Sequence, residues 1–435
     1  MKRKSTYNIL MYSHDTYGLG HIRRTMAIAS HLRGRNTNIL ILTGSPIVGR
    51  YALPDKIDFV RIPGMIKKAN EEYLPLSIKI HPNQALDIRK SIIKATAKTF
   101  QPHLFIVDKE PLGLKKEILP TLQWLRRSLP GTRTVLGLRD IMDESSATCK
   151  DWRDKGIYDL LEDTYSEIWV YGIKEFYDPI TEYRIPSAIS DKMLFTGYIP
   201  RNVPAPAAVK AMRKRFGCSN GEKLVVATTG GGGDGYSLLN CFLSMLERQK
   251  GKTSFKSLLV TGPFMAEKER DNVVSRAKKL GVQAIQFHRS MEEVLAAADL
   301  VVSMGGYNTV CESLTLGRMS LIIPRETPRK EQLIRAQVLK ERRLVDYIPE
   351  DSLCPEAMDS KIKELLGNSK TYLKAISEFQ LTGLDVISQR LKQFQRQPAG
   401  CSCKKAAASI SYGGLSEPSN PLPAHAQMAR YHGPE

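Results

Sequence analysis

Ser303-Met304-Gly305-Gly306-Tyr307-Asn308-Thr309-Val310-Cys311-Glu312 ends a short apolar run that begins at Leu300 and opens, through a glycine pair, into a helical pattern. The apolar run reads as a strand buried on both faces, and the glycines read as the turn that feeds a helix. One carboxylate, Glu312, falls a turn and a half into that helix. A further apolar run at 320–323 and a polar pair, Glu331-Gln332, follow. A strand, a glycine turn and a helix start turn main-chain N–H groups and the positive end of a helix dipole toward one point, which suits phosphate.

The same grammar holds to either side. Upstream, a β-rich run at 224–229 leads into Gly230-Gly231-Gly232-Gly233, with Gly235, and a helix from about Tyr236; further strands are expected at 257–261 and 282–287. The first half opens likewise, with a strand at 7–12, a loop from Ser13 to Gly20, a helix at 21–33 and a strand at 38–43. Apolar runs recur at 104–107, 134–138, 168–171 and 193–195. Strands alternating with helices predict an α/β fold made of two Rossmann-like, doubly wound domains facing a cleft. The expected divisions are an N-terminal domain at 1–198, a proline-rich linker at 199–206 and a C-terminal domain at 207–368. A long last helix at 369–395 is expected to pack back on the first domain. From 396 to 435 the chain turns to Ala, Gly, Ser and Pro and is expected to be disordered.

At 435 residues, two domains are the natural division, and a 42% hydrophobic share supports real cores. No run of eighteen apolar residues exists, and the apolar stretch behind Met1-Lys2-Arg3-Lys4 is too short for a signal peptide, so a cytoplasmic protein is expected. Seven scattered cysteines form neither zinc spacing nor a disulfide framework. Net charge is +19, and residues 1–150 carry 25 Lys/Arg against 12 Asp/Glu. That excess points to an anionic partner such as a membrane surface or a pyrophosphoryl lipid, or else to charge on a solvated face. Nothing resembles a nucleic-acid-binding motif, so no nucleic acid partner is expected.

Several residues carry the chemistry. Glycines at 230–233, and at Gly305 and Gly306, let the backbone approach a ligand. With Asn308 and Thr309 at the helix start, Glu312 on ribose hydroxyls and Glu331-Gln332 on the sugar, they suit a nucleotide-linked sugar. His288, just past the 282–287 strand, is a candidate for a nucleotide contact. Gly18-Leu19-Gly20-His21 fails the dinucleotide fingerprint because Arg23 stands at the third glycine position, which disfavours a nicotinamide cofactor and hydride transfer. What remains is a tight turn with His21 at a helix start, either a base held neutral by the dipole or a plain capping residue. His14, Asp15 and Asp108 fall at strand ends, as do Arg139 and Asp140, the edge where doubly wound sheets bind ligands. No Asp-x-Asp occurs, so no metal and no other cofactor is expected; amides, helix termini and basic groups would neutralise phosphate.

These motifs resemble the two-Rossmann-domain (GT-B) glycosyltransferases, and family 28 most of all, over roughly residues 7–395. Gly18 to His21 is similar to that family's N-terminal glycine loop, Gly230 to Gly235 to its second one, and Ser303 to Glu312 to the motif whose glutamate binds ribose. The resemblance implies transfer of a sugar from a nucleotide-diphosphate donor, uridine-linked and of the UDP-GlcNAc kind, to a hydroxyl of a lipid-linked or glycan acceptor, with inversion and without metal. His21 would be the base, with Asp108 or Asp15 as substitutes, and Gly18, Gly20, Arg139 and Asp140 would face the acceptor or phosphate. Peripheral binding to the inner face of an anionic membrane follows from a lipid-linked acceptor. A sugar-nucleotide 2-epimerase of the same fold and a non-catalytic donor-binding subunit are the alternatives.

Overall fold

The computed structural model describes residues 6–14, 20–50, 53–67, 73–219, 221–250 and 252–396. Its first half contributes strands β1 (Tyr7–Ser13), β2 (Thr37–Thr43), β3 (Ile57–Arg61), β4 (Met65–Lys67), β5 (Tyr73–Pro75), β6 (Leu104–Asp108), β7 (Arg133–Arg139), β8 (Glu167–Tyr171) and β9 (Met193–Phe195). Seven of them form one parallel sheet in the order β3-β2-β1-β6-β7-β8-β9, while β4 and β5 pair antiparallel beside it. The second half contributes β10 (Lys223–Thr228), β11 (Phe255–Val260), β12 (Gln283–Ile285), β13 (Leu300–Ser303), β14 (Met319–Ile322) and β15 (Asp346–Tyr347), a parallel sheet in the order β12-β11-β10-β13-β14-β15. The expected pair of doubly wound α/β domains is what the chain forms.

The apolar runs follow from this layering. Side chains alternate across a strand, and helices cover both faces, so neither face tolerates a polar row. Ile9 and Met11 enter one apolar layer of the first sheet and Leu10 and Tyr12 the opposite one. Val225 and Ala227 lie on one side of the second sheet, Leu224 and Val226 on the other. Strand order reverses between β1 and β6 in the first sheet and between β10 and β13 in the second. Crevices open at the carboxyl ends of strands flanking such a reversal. His14, Asp108, Gly230 and Met304 therefore all fall at these two openings.

The connection between the halves is no loose tether. Tyr198, Ile199 and Arg201 are buried, and the Tyr198 ring stacks on Tyr307 of the second half at 5.9 Å. Its main chain is tied down too, with Ile199 N donating to the Tyr307 hydroxyl and Arg201 N to Thr315. The single last helix expected at 369–395 is instead two, Ser369–Glu378 and Gly383–Arg396. The chain leaves helical geometry at Phe379, whose ring packs on Phe176, and Thr382 and Gly383 hydrogen-bond to the carbonyls of Thr196 and Tyr198. Those bonds redirect it onto the first half. There Ile387, Leu391 and Phe394 join the layer of Ile9 and Met11, Phe394 stacks near Trp169, and Arg390 pairs with Glu167. The tail expected beyond Arg396 lies outside the described residues. Among those residues, no helix is long and apolar enough to cross a membrane.

Candidate functional site

A cavity of about 430 Å³ opens between the two switch points and is lined from both halves. Its floor on the second half is the stretch Thr228–Asp234, which wraps from the end of β10 toward the helix Tyr236–Arg248. Gly232 sits at φ +93°, and a Cβ there would collide with the carbonyl oxygen of Thr261, so only glycine fits. Beside this loop Met304 and Gly306 lead into the helix Tyr307–Thr315, presenting Asn308, Thr309 and Glu312 to the cavity. Gly305 lies just behind, its carbonyl accepting from the buried Arg335 at 3.2 Å. Glu331 and Gln332 open the helix Glu331–Glu341 on the same wall.

Charge in this cavity is mostly cationic and only partly satisfied. Arg325 reaches Asp234 at 2.6 Å and Glu331 Oε1 at 2.8 Å, while its own amide donates to Gln332. Nε of Arg325, Nε of Arg139 and Oε2 of Glu331 are buried without a hydrogen-bond partner. Such groups at a cavity have hydrogen-bonding capacity left for water or a ligand. Glu312 is only 2% exposed, yet it is engaged: Arg23 of the first half lies 2.8 Å from its Oε1 and 2.8 Å from Glu292. Burial pushes the Glu312 carboxyl above its ordinary range, against the pull of Arg23 and Arg201. Asn308 ties the halves as well, donating to the Gly20 carbonyl at 2.8 Å and accepting from Arg201 at 2.5 Å. A Cβ on Gly20 would stand 2.8 Å from that Asn308 amide, so glycine is what allows the approach.

His21 stands where the two halves meet. It lines this cavity and also a second one, of about 580 Å³, on the side of the first half. Its Nδ1 is 2.5 Å from Oδ2 of Asp108 at the end of β6. Asp108 in turn holds Arg24, whose Nε and Nη2 lie 2.9 and 2.7 Å from Oδ1. Burial opposes ionisation of Asp108, but Arg24 and His21 outweigh it and keep the carboxyl well below its usual range. An ionised Asp108 makes Nδ1–H of His21 the donor and leaves Nε2 a lone pair. Burial lowers the His21 pKa to about 4, against the upward pull of Asp108, so the ring is neutral near pH 7.

The second cavity is bordered by His14, Tyr73, Glu110 and a set of cations, among them Lys109, Lys115, Lys116, Arg139 and Arg329. Burial lowers the pKa of Lys109, and that of Arg139 to about 10.

Several sequence expectations need correction. Asp108 is not placed to substitute as a base, because both its oxygens are committed to His21 and Arg24. Asp140 faces inward, fully buried, accepting from Ile141 N and from the Tyr198 hydroxyl at 2.7 Å, so it braces the connection between the halves. His288 caps its own loop through Ser290, with Nε2 toward Arg215, and its neighbours Gln286 and Phe287 form the cavity wall instead. Asp15 and Gly18 lie outside the described residues. Arg23, Arg24 and Arg325 escaped sequence reading; the one available signal was that Arg23 replaces a fingerprint glycine.

Comparison with known proteins bears on the sequence family and the fold. Residues 225–391 match the glycosyltransferase family 28 C-terminal domain. The second half is thus similar to a family 28 C-terminal domain. Among curated relatives, the UDP-N-acetylglucosamine--N-acetylmuramyl-(pentapeptide) pyrophosphoryl-undecaprenol N-acetylglucosamine transferase of Clostridioides difficile (strain 630) is 25% identical over 227 residues, 51% of this chain and 55% of that protein. Its counterpart from Shouchella clausii is 33% identical over 109 residues, 24% of this chain and 31% of that protein. The chain thus spans about half the length, or less, of the curated relatives it matches. In fold, the crystal structure of Acinetobacter baumannii MurG superposes with a TM-score of 0.55 at 13% identity, over 89% of this chain and 99% of that one. A UGT transferase from Siraitia grosvenorii in complex with UDP gives 0.59 at 15% identity, over 90% and 100%. The two halves together therefore have the GT-B architecture that the motifs pointed to, and Gly230–Gly233, Gly306 and Glu312 lie within the residues that match family 28.

Proposed function

We propose that this protein is a hexosyltransferase that moves a sugar from a nucleotide-diphosphate donor, of the UDP-GlcNAc kind, to an acceptor hydroxyl, inverting at the anomeric carbon and using no metal. The observation that carries it is the position of His21, braced by Asp108, on the border of two cavities. One cavity has the glycine loop and Glu312 of a family 28 domain; the other is open to an acceptor. The names of the curated relatives support the donor and a pyrophosphoryl-lipid acceptor.

In this reading the acceptor O–H proton passes to Nε2 of His21. Ionised Asp108 holds the Nδ1 proton and stabilises the imidazolium that forms. The acceptor oxygen bonds the anomeric carbon as the bond to the diphosphate breaks on the opposite face. Amides of Gly232, Gly233 and Gly306, with Arg139 and Arg325, take up the charge on the leaving diphosphate. Glu312 binds the ribose, sharing with Arg23 or displacing it. Alignment across the cleft can supply roughly 7–11 kcal/mol, more than the base alone.

A cytoplasmic location at the inner face of a membrane fits such an acceptor. Leu76, Ile78 and Ile88 are exposed on the first half, close to Lys79 and Lys90, and each cation near an anionic surface contributes about 1 kcal/mol. Flotation with anionic but not neutral vesicles is expected; equal flotation with both would count against docking by charge.

The decisive experiment is a thermal-shift screen of nucleotide sugars, since ligand binding stabilises in proportion to ln(1+[L]/Kd). A selective shift by UDP-GlcNAc, lost in Glu312→Ala, is expected. His21→Ala should keep the shift while turnover falls about 10²–10⁴-fold. No shift with any nucleotide sugar would end this reading. Conversion of UDP-GlcNAc alone to its manno epimer would replace transfer with epimerisation, and the second cavity would then lack a purpose.

A further inference from the structure

Behind the acceptor-side cavity runs a buried polar chain that neither donor binding nor proton removal uses. Arg89 and Glu117 are both fully buried and paired at two points, Nε to Oε2 at 2.5 Å and Nη2 to Oε1 at 2.6 Å. The Tyr12 hydroxyl stands 2.5 Å from Glu117 Oε1. Both Glu117 oxygens accept from Arg89, and the Tyr12 hydroxyl donates to Oε1, so the hydroxyl proton belongs to that bond. The Tyr12 oxygen is left to accept, and two groups lie 3.3 Å from it: the Leu114 amide and Nδ1 of His14. The His14 ring therefore carries its proton on Nδ1 and a lone pair on Nε2.

His14 is 6% exposed and borders the cavity alongside His21. With Nδ1 turned to Tyr12, the edge left for the cavity is the one bearing Nε2. His21 repeats the arrangement, Nδ1 on Asp108 and Nε2 unprotonated. The ring centroids are 5.7 Å apart with planes at 83°. One patch of the wall thus offers two hydrogen-bond acceptors and no proton.

We propose that His14 is a positioning residue of the acceptor site, whose Nε2 holds one hydroxyl of a polyhydroxylated acceptor while His21 takes the proton from a neighbouring hydroxyl. The role given to His21 rests on the transferase reading above. Two lone pairs select a ligand that brings two donors, which a sugar diol does and a monohydric alcohol does not. His14 is not the base itself. An imidazolium at position 14 would find a neutral phenol on Nδ1, where His21 finds an ionised carboxylate. Burial also lowers the His14 pKa to about 3, with His21 and Lys109 acting in the same direction and Glu110 and Glu117 against it.

The test uses full-length protein labelled with ¹⁵N-histidine. Long-range ¹H–¹⁵N spectra at neutral pH should show His14 as the Nδ1–H tautomer, with Tyr12→Phe disturbing that preference. The Nε2–H tautomer or a charged ring in the wild type would overturn the proposal, whatever the enzyme does. With UDP saturating, methyl β-glucoside should move the His14 Nε2 signal and ethanol should not. His14→Ala should weaken the glucoside response read at His21 by about tenfold, the size of one hydrogen bond. His14→Gln, whose Oε1 can stand near the Nε2 position, should restore it, and UDP affinity should not change in either variant. A His14 signal silent to glucoside, or an equal response at His21 in wild type and His14→Ala, would overturn it. Failure of UDP to bind the wild type would sink the transferase reading, with the tautomer still judging the Tyr12–His14 link.

Discussion

At the residue scale, the charge state of a few buried groups decides what the cleft can do. Asp108 is useful because it is ionised, and it is ionised because Arg24, 2% exposed, lies against it. Asp108→Asn would leave that guanidinium buried without a counter-charge. The expected cost is about 3–5 kcal/mol of stability, read by urea denaturation; a loss under 1 kcal/mol would mean Arg24 finds water instead. The histidines make an opposite demand on acid. His14 and His21 are neutral in the folded protein down to about pH 3 and 4, whereas in the unfolded chain they bind protons below about 6.5. Between those limits the unfolded state holds more protons, so stability rises with pH and is lost as pH falls from about 6.5 through 4. Each ring contributes up to about 1.4 kcal/mol per pH unit in that window. The melting temperature of wild type should drop over this interval, and that of a His14→Ala, His21→Ala double variant should drop less steeply.

At the element scale, the loops that follow β10 and β13 depend on glycine because the chain packs there at positive φ against its own neighbours, Thr261 beside Gly232 and Ile322 beside Gly305. Gly232→Ala forces a Cβ onto the Thr261 carbonyl at a positive φ, so the loop must shift. UDP binding should weaken by at least about tenfold in calorimetry, or about 1.4 kcal/mol; unchanged affinity would mean this loop does not carry the diphosphate. The last helix, Gly383–Arg396, belongs in packing to the first half although it ends the second. Phe394 lies against Trp169 and beneath Arg133. Phe394→Ala should cost about 3–5 kcal/mol in chemical denaturation, as for other large core truncations. A cost near zero would show that the helix detaches freely.

At the scale of the whole molecule, the two halves share one apolar layer as well as a cleft. Tyr307 and Cys311 of the second half sit in the same cluster as Ile9, Ile22 and Ile387. Arg24 and Arg335 flank the Tyr307 ring at 5.5 and 5.8 Å. Arg23 adds the ion pairs to Glu312 and Glu292 across the gap. Arg23→Ala is expected to raise amide hydrogen exchange in the helices Gly20–Leu32 and Tyr307–Thr315 together, because both lose the same tether. Arg276→Ala, which removes a pair to Glu247 inside one half, should affect only its own surroundings. Faster exchange confined to one of the two helices would refute the tether.

Residues 300–312 and 224–235 were legible because their constraints are local. A strand covered on both faces must be apolar along its length, and a turn held at positive φ against neighbouring protein atoms must be glycine. Strand ends could be named for the same reason, and His14, Asp108 and Arg139 lie there. What the chain alone could not settle are pairings between residues far apart in it: Arg24 with Asp108, Arg23 with Glu312, Tyr12 with Glu117 and His14. Those pairings fix which carboxylates are charged and which imidazole nitrogen keeps its proton. Burial and charge neighbours set both quantities, and they exist only once the sheets have brought the side chains together. For the same reason Asp140 and His288, plausible at strand ends, turned out to brace the connection and cap a loop.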